Sequence, residues 1–239
     1  MRTLLCYVYG VICLLLTVPK RLKARELRQN GDIDGLRIYC TEVARYFART
    51  IFNCTGSTVE MRGLENIPEE RTVLFVCNHQ GNFDMGVILG YIDKPKGYIA
   101  KDGVDKLPIV RRWMHDMDCV FMHREDIKKA AKAISQGVEL LKSGWSMLVF
   151  PEGRRSKSNE MGPFKHGSFK LATKSKVPIV PVTIDGTYKI MEANNSFIRP
   201  AHVIVTIHPI VETADLNSEE LKNLPTKVQN IIASALTKD

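Results

Sequence analysis

A histidine and an aspartate five residues apart are the side chains of this sequence best suited to moving a proton. His79 and Asp84 follow an apolar run, residues 72–77, whose length and composition predict a buried strand. Imidazole is the usual general base near neutral pH. A carboxylate bonded to one ring nitrogen fixes the tautomer and stabilises the positive charge that develops on the ring. The spacing therefore predicts a base and its orienting carboxylate where a strand ends.

A second polar, glycine-bearing segment, residues 150–156, also follows a strand-like apolar run. Its Arg154 and Arg155 carry guanidinium groups, which suit phosphate. Turns at the ends of two strands can converge on one crevice in an α/β sheet. We therefore predict one site, in which the first turn supplies a base and the second binds a phosphate-bearing substrate for a transfer reaction.

Size and charge narrow the class of protein further. The 239 residues are enough for one α/β domain with a full core and an appendage. The net charge of +8 favours anionic partners such as nucleic acid, anionic lipid or phosphorylated substrates. No nucleic-acid-binding signature accompanies this charge, so we expect no nucleic-acid partner. The six cysteines are scattered without a CxxC pair, which predicts reduced thiols facing the cytosol and no zinc site.

The N-terminal segment, residues 3–18, is uncharged and apolar, and the basic cluster of residues 19–25 follows it. The apolar run is shorter than the roughly 20 residues that a spanning helix needs. A secretory signal is disfavoured because the positive charge lies on the wrong side and no small-residue cleavage site follows. A buried soluble helix remains an alternative. We favour a membrane-associated helix at the cytoplasmic face of the cell membrane, with the basic cluster facing anionic lipids.

A second segment, residues 36–52, places apolar residues at helical spacing. Residues 31–35, with two glycines and two aspartates, predict a loop before it. The two segments form either a helical hairpin lying in one leaflet or an anchor followed by an amphipathic helix packed on the domain. We divide the chain into N-terminal membrane-associating helices, residues 1–57, and a globular domain, residues 58–239.

Short apolar runs of strand length recur through the rest of the chain, at residues 72–77, 97–100, 119–122, 147–150, 179–184 and 202–207. Apolar residues at helical spacing predict helices at residues 84–91, 104–117, 127–141 and 221–236. Strands that alternate with helices indicate an α/β fold, with a mostly parallel central sheet flanked by helices.

Four segments, in order, resemble the sequence blocks of the glycerolipid acyltransferases. They are Asn78–Asp84 with its His-x4-Asp pattern, Val120–Arg124, Phe150–Ser156 and Val177–Val182. The resemblance covers residues 59–210, and four blocks in order are a specific signal. The N-terminal helical pair also resembles the membrane anchor of the bacterial 1-acyl-sn-glycerol-3-phosphate (lysophosphatidic acid) acyltransferases. The resemblance implies the glycerolipid acyltransferase fold over the globular domain, with an N-terminal helical hairpin.

The resemblance also implies a reaction in phospholipid biosynthesis. His79 would remove the proton from the sn-2 hydroxyl of lysophosphatidic acid, and Asp84 would orient His79. The alkoxide would attack the thioester of an acyl carrier protein (ACP) or of acyl-CoA, and loss of the thiol would leave phosphatidic acid. Both donors stay candidates because they carry the same phosphopantetheine thioester. Neither a cofactor nor a metal is expected.

Five further residues are assigned to the substrate site by the same resemblance. Arg155 would bind the phosphate bidentately, and Lys101 would be a second phosphate ligand. Arg124 would contribute to acceptor binding. Glu152 would hold the turn at the substrate site, and Gly153 would allow close backbone approach.

Three positions depart from the pattern of the family. Gly81 stands where many members carry serine, a difference expected to change little. His123 stands where the second block often has aspartate, which weakens any role for that position. Arg154 stands where threonine is usual and adds a cation beside the phosphate site.

Three other functions remain open from the sequence. The same chemistry could act on another lysophospholipid or on glycerol-3-phosphate. A non-catalytic membrane module could bind lysolipid, although binding alone needs no base. Thioester hydrolysis would use water in place of the lysolipid.

Overall fold

A seven-stranded sheet forms the centre of the computed structural model, which describes residues 1–101, 107–122 and 126–237. The strands are β1 (Thr58–Arg62), β2 (Leu74–Cys77), β3 (Gly97–Lys101), β4 (Val120–Met122), β5 (Met147–Val149), β6 (Ile179–Asp185) and β7 (His202–Ile207). Their spatial order is β1-β7-β6-β2-β5-β3-β4. Neighbours are parallel except β6 and β7, which pair antiparallel. The predicted mostly parallel α/β sheet is confirmed.

Eight α-helices surround the sheet in the described part of the chain. They are α1 (Arg2–Leu16), α2 (Arg21–Gln29), α3 (Ile33–Cys54), α4 (Asp84–Tyr91), α5 (Pro108–Asp116), α6 (Ile127–Lys142), α7 (His166–Ser175) and α8 (Ser218–Ala233). Helix α4 has its predicted bounds. Helix α8 begins earlier than predicted because Asn217 and Glu220 form a capping box at its N-terminus.

Each face of the sheet carries its own apolar core, because successive side chains of a strand point to opposite faces. Leu74 and Val76 of β2 pack in the core that α6, α7 and α8 cover. Phe75 and Cys77 pack in the opposite core, with Phe52 of α3 and residues of α4. All four residues of β2 are therefore buried, and the end of this strand is held firmly on both sides.

The N-terminal helices differ from the prediction in two details, the start of α3 and the presence of α2. Residues 31–35 are not a loop throughout, because α3 begins at Ile33. Asp32 caps this helix, and its Oδ1 accepts a hydrogen bond from the Gly35 N–H at 2.8 Å. The basic cluster continues into the unpredicted helix α2, whose Arg21 and Arg28 both form ion pairs with Asp116 of α5.

Helices α1 and α3 have different environments. Helix α3 packs on α4 and buries six residues, as an amphipathic helix packed on the domain would. Helix α1 buries only Cys6 and exposes most of its large apolar side chains. Within the described residues, the segment Arg2–Gln29 is long and apolar enough to cross a membrane, and only 11% of its most apolar stretch is buried. The surface of α1 thus has the character of a lipid-facing helix.

Lys96, which directly precedes β3, is a buried lysine that is not among the predicted site residues. Its side chain is 1% exposed, and Nζ donates to the carbonyls of Ile92 and Lys94 at 3.0 and 2.8 Å. Burial lowers the pKa of Lys96 from 10.5 to about 7.

We expect Lys96 to make stability rise with pH above about 7, because in that range the unfolded chain binds a proton that the folded protein lacks. The slope reaches at most about 1.4 kcal/mol per pH unit. Urea unfolding of Lys96→Met between pH 7 and 9 should show this slope removed, whereas the exposed control Lys132→Met should keep it. An unchanged slope in Lys96→Met would contradict the assignment.

Candidate active site

The two predicted proton-transfer residues meet directly after β2. Nδ1 of His79 lies 2.5 Å from Oδ2 of Asp84. The Asp84 side chain is fully buried, whereas that of His79 is 20% exposed. A carboxylate that accepts the Nδ1 proton leaves Nε2 of the neutral ring with its lone pair. The pair therefore has the arrangement of a general base with its orienting carboxylate.

Asp84 is itself held by two further donors. The backbone N–H of Gly81 donates to Oδ2 at 2.9 Å, and the hydroxyl of Thr187 donates to Oδ1. Thr187 is fully buried directly after β6. Both carboxylate oxygens thus have donors, and the plane of the carboxylate is fixed relative to the His79 ring.

We expect Thr187→Val to lower kcat about tenfold, because the charged Asp84 carboxylate loses a hydrogen bond. The KM for the lysolipid acceptor and the KM for the thioester donor should change little, because no substrate contact changes. The matched control is Thr183→Val on β6. Its hydroxyl is also buried, but it donates to the Ile232 carbonyl of α8 at 2.7 Å. Both variants should lose similar thermal stability, and steady-state kinetics should separate them. Equal kcat values for the two variants would argue against the role of Thr187.

The turn that carries His79 is tied to β6 by the residues on each side of it. The Asn78 side chain donates to the carbonyl of Ile184 and accepts from its N–H, each at 2.8 Å. The Gln80 side-chain oxygen accepts from the N–H of Gly186 at 2.9 Å. Because β2 and β6 are parallel neighbours, these bonds bring their carboxyl ends together. No sequence pattern indicates these contacts, apart from the presence of the two amide side chains.

The third block reaches the base through Phe150 and Glu152. The Phe150 ring stacks on the His79 ring, with centroids 4.1 Å apart and planes 20° apart. Glu152 is buried, and burial raises the pKa of its carboxyl. Its Oε1 accepts from the His79 N–H at 2.6 Å and its Oε2 from the Gly162 N–H at 2.8 Å. Both oxygens are engaged with backbone, so Glu152 joins the two turns at the base.

A cavity of about 340 Å³ opens beside His79. Two of the predicted substrate residues, Lys101 at the end of β3 and Gly153, line it together with Lys165. Most of the other lining side chains are apolar: Met85, Leu89, Tyr98, Ile99, Val110, Met114, Met122, Val149 and Phe150. The cavity thus joins cationic groups and a base to an apolar interior, which suits an amphipathic substrate.

Gly153 has a positive φ of 75°, which favours glycine. A Cβ at this position would lie 2.9 Å from Nζ of Lys165. The space beside Gly153 is taken by the end of the Lys165 side chain, and the close approach of a substrate to this backbone stays a prediction. Lys165 itself was not singled out from the sequence, because it lies outside the four blocks, at the end of a long loop.

Arg155 lies beside the same turn but outside the lining of this cavity. Its Nη1 donates to Oδ1 of Asn82 and, at 3.2 Å, to Oε1 of Glu192. Its side chain is 35% exposed. Arg154 is exposed. The predicted acceptor residue Arg124, and His123 before it, lie outside the described residues.

Residues 58–185, more than half of the chain, match the family model described as Acyltransferase. The chain belongs to the acyltransferase family. The matched segment begins at the first residue of β1 and ends at the last residue of β6. It contains His79, Asp84 and all four blocks, so the family predicted from those blocks is confirmed.

Several similar proteins are 1-acyl-sn-glycerol-3-phosphate acyltransferases by name. The chloroplastic BAT2 protein of Brassica napus is 36% identical over 178 residues, which are 73% of this chain and 52% of that protein. This member of the family thus spans about half the length of that relative. The protein of Borreliella burgdorferi is 29% identical over 181 residues, or 76% of this chain and 72% of that protein.

A solved structure shares the whole architecture of this family member. The crystal structure of the 1-acyl-sn-glycerophosphate (LPA) acyltransferase PlsC from Thermotoga maritima matches with a TM-score of 0.81 and 29% identity. The match covers 98% of this chain and 95% of that one. It therefore includes the N-terminal helices as well as the sheet, in agreement with the predicted fold.

Proposed function

We propose that this protein transfers a fatty acyl group from an ACP or CoA thioester to the sn-2 hydroxyl of lysophosphatidic acid, forming phosphatidic acid. The observation that carries the proposal is the His79–Asp84 pair, in contact at 2.5 Å beside a cavity with cationic and apolar walls. The names of the relatives supply the acceptor, since several are 1-acyl-sn-glycerol-3-phosphate acyltransferases.

The proposed reaction uses His79 first as a base and then as an acid. Nε2 removes the hydroxyl proton while the oxygen attacks the thioester carbonyl, and the new C–O bond gives a tetrahedral intermediate. The buried carboxylate of Asp84 stabilises the imidazolium. When the C–S bond breaks, the proton passes from Nε2 to the leaving sulfur. Phosphatidic acid and a free thiol are the products, and His79 is neutral again.

The cationic side chains around the base are assigned to the acceptor phosphate. Lys101 and His79 line the same cavity. Arg155 lies next to that cavity, where its guanidinium group donates to the side chain of Asn82. Arg124 is retained as an acceptor-binding residue on the basis of its block alone. The apolar interior of the cavity would take an acyl chain. Glu152, with both oxygens on backbone N–H groups, would hold the site together.

Membrane association is proposed for the N-terminal helices, residues 1–57, because lysophosphatidic acid is a bilayer lipid. Helix α1 exposes its apolar side chains. In α2, Lys23 and Arg25 are exposed and would face anionic headgroups on the cytoplasmic side. This arrangement would bring the acceptor to the catalytic domain, residues 58–239, without its leaving the bilayer surface.

An acceptor panel tests the proposed function. Thiol release from oleoyl-CoA and from oleoyl-ACP by detergent-solubilised protein would be measured with lysophosphatidic acid, lysophosphatidylcholine, glycerol-3-phosphate or no acceptor. We expect release only with lysophosphatidic acid. Equal release with another acceptor would move the assignment to that acceptor, and release without any acceptor would indicate hydrolysis. Folded protein that is inactive with every pair would leave the proposal without support.

A further inference from the structure

Glu192 is a buried carboxylate that none of the four blocks contains. It begins a short 3-10 helix, Glu192–Asn194, in the segment that follows β6. Its side chain is only 5% exposed. A carboxylate removed from water costs free energy unless cations and hydrogen bonds compensate it. The contacts of Glu192 therefore indicate what the charge does at this position.

Those contacts lead to the turn beside His79 and to Arg155. Oε1 of Glu192 accepts from the backbone N–H of Asn82 at 2.8 Å and from Nη1 of Arg155 at 3.2 Å. The same guanidinium nitrogen donates to the Asn82 side chain. Arg155, Asn82 and Glu192 thus form one cluster, in which Glu192 supplies the negative charge. The guanidinium is placed by two acceptors before any phosphate arrives.

The second oxygen of Glu192 fits against Gly81. Oε2 is buried without a hydrogen-bond partner among the described residues. A Cβ on Gly81 would lie 2.6 Å from it. Glycine at this position, where many family members have serine, therefore leaves room for the carboxylate. The expectation that this departure changes little stays a prediction, but the geometry favours an effect, because a side chain at position 81 would meet Oε2 of Glu192.

We propose that Glu192 is a positioning residue for the acceptor phosphate, holding Arg155 at the turn next to the catalytic base. This inference rests on the proposed function. Because Glu192 already orders the Arg155 side chain, less conformational entropy is lost when Arg155 binds the phosphate. Glu192 therefore contributes to acceptor affinity without touching the substrate. Together with Thr187 on Asp84, it makes the segment after β6 a support for both halves of the site.

The test measures both KM values and kcat for Glu192→Ala and Glu192→Gln. For Glu192→Ala we expect the KM for lysophosphatidic acid to rise about tenfold, with kcat and the KM for the thioester changed by less than about twofold. Glutamine keeps an oxygen that can accept from Asn82 and Arg155, so Glu192→Gln should stay within about threefold of the wild type. General damage to the fold would instead change all three parameters and would not be rescued by glutamine.

The second measurement is the acceptor KM of the Glu192→Ala, Arg155→Ala double variant, compared with that of each single variant. Because Glu192 acts through the guanidinium, Glu192→Ala should add no further increase in acceptor KM to Arg155→Ala. Full additivity would overturn the inference, as would a fall in acceptor KM, which would mean that Glu192 repels the phosphate. A glutamine variant as impaired as the alanine variant would exclude positioning by hydrogen bonds.

Gly81→Ala provides an independent variant if Glu192→Ala does not fold. The new methyl group forces the carboxylate to move, since its Cβ would lie 2.6 Å from Oε2. We expect the KM for lysophosphatidic acid to rise as it does in Glu192→Ala, and an unchanged value would overturn the inference. Wild-type protein without lysophosphatidic-acid-dependent thiol release would refute the proposed function itself. An active wild type with an unaffected Glu192→Ala would refute only the role of Glu192.

Discussion

His79→Ala should lower kcat for lysophosphatidic-acid-dependent thiol release by between about a hundredfold and ten-thousandfold, because the hydroxyl loses its base. In the proposed mechanism Nε2 takes the proton, because Nδ1 faces Asp84 at 2.5 Å. Binding to lysophosphatidic-acid-containing vesicles should remain, because the cationic and apolar walls of the cavity are intact. Continuous thiol detection and vesicle co-sedimentation check the two halves of this prediction.

The matched control for this variant is His208→Ala. His208 is half-buried, and its Nε2 lies 2.8 Å from the hydroxyl of Thr183, a residue whose hydroxyl also bonds the C-terminal helix α8. Its removal should lower thermal stability while leaving kcat within about twofold, as expected for a residue that touches no reacting group. Substantial activity in a folded His79→Ala protein would show that another group removes the proton.

Asp84→Asn should lower kcat on the order of a hundredfold, with the KM for both substrates nearly unchanged. The side chain keeps its shape, but the imidazolium formed during the reaction loses its buried counter-charge. The ring can also take the wrong tautomer, because the amide nitrogen donates where the carboxylate accepted. Stopped-flow and steady-state measurements of thiol release would give the size of the loss.

Asp116→Asn is the appropriate comparison for Asp84→Asn. Asp116 is also buried, pairs with Arg21 and Arg28 of α2, and is not one of the residues that line the cavity. The Asp116→Asn protein should be less stable than the wild type, because two arginines lose their charged partner. Its kcat should stay close to that of the wild type. A similar fall in kcat in both variants would assign the effect to general destabilisation.

Much of the fold could be predicted because β2, β5 and β6 are buried on both faces and read as continuous apolar runs. Strand β1 was not predicted, because it lies at the sheet edge with partly exposed, mixed side chains. Helix α7 was missed for a related reason. Its apolar residues are Phe169, Leu171 and Ala172, which are all buried in the core but are too few to give a clear helical pattern.

The site also has residues that the sequence predicts and residues that only the tertiary structure brings to it. His79 and Asp84 are close in sequence, and their types and spacing indicate a shared role. Thr187 and Glu192 join them only through the pairing of β2 with β6. A threonine and a glutamate beyond the last block have no local signal for such contacts, because long-range partners are fixed by tertiary structure. The ion pairs of Asp116 with α2 were unpredictable for the same physical reason.

Acyl transfer to lysophosphatidic acid is tested most directly by a product balance. Purified protein would be incubated with labelled lysophosphatidic acid and an acyl thioester, and thiol released would be compared with phosphatidic acid formed. We expect one mole of phosphatidic acid for each mole of thiol, and neither product above background with His79→Ala. Thiol release without phosphatidic acid, or equal phosphatidic acid formation by the His79→Ala protein, would contradict it.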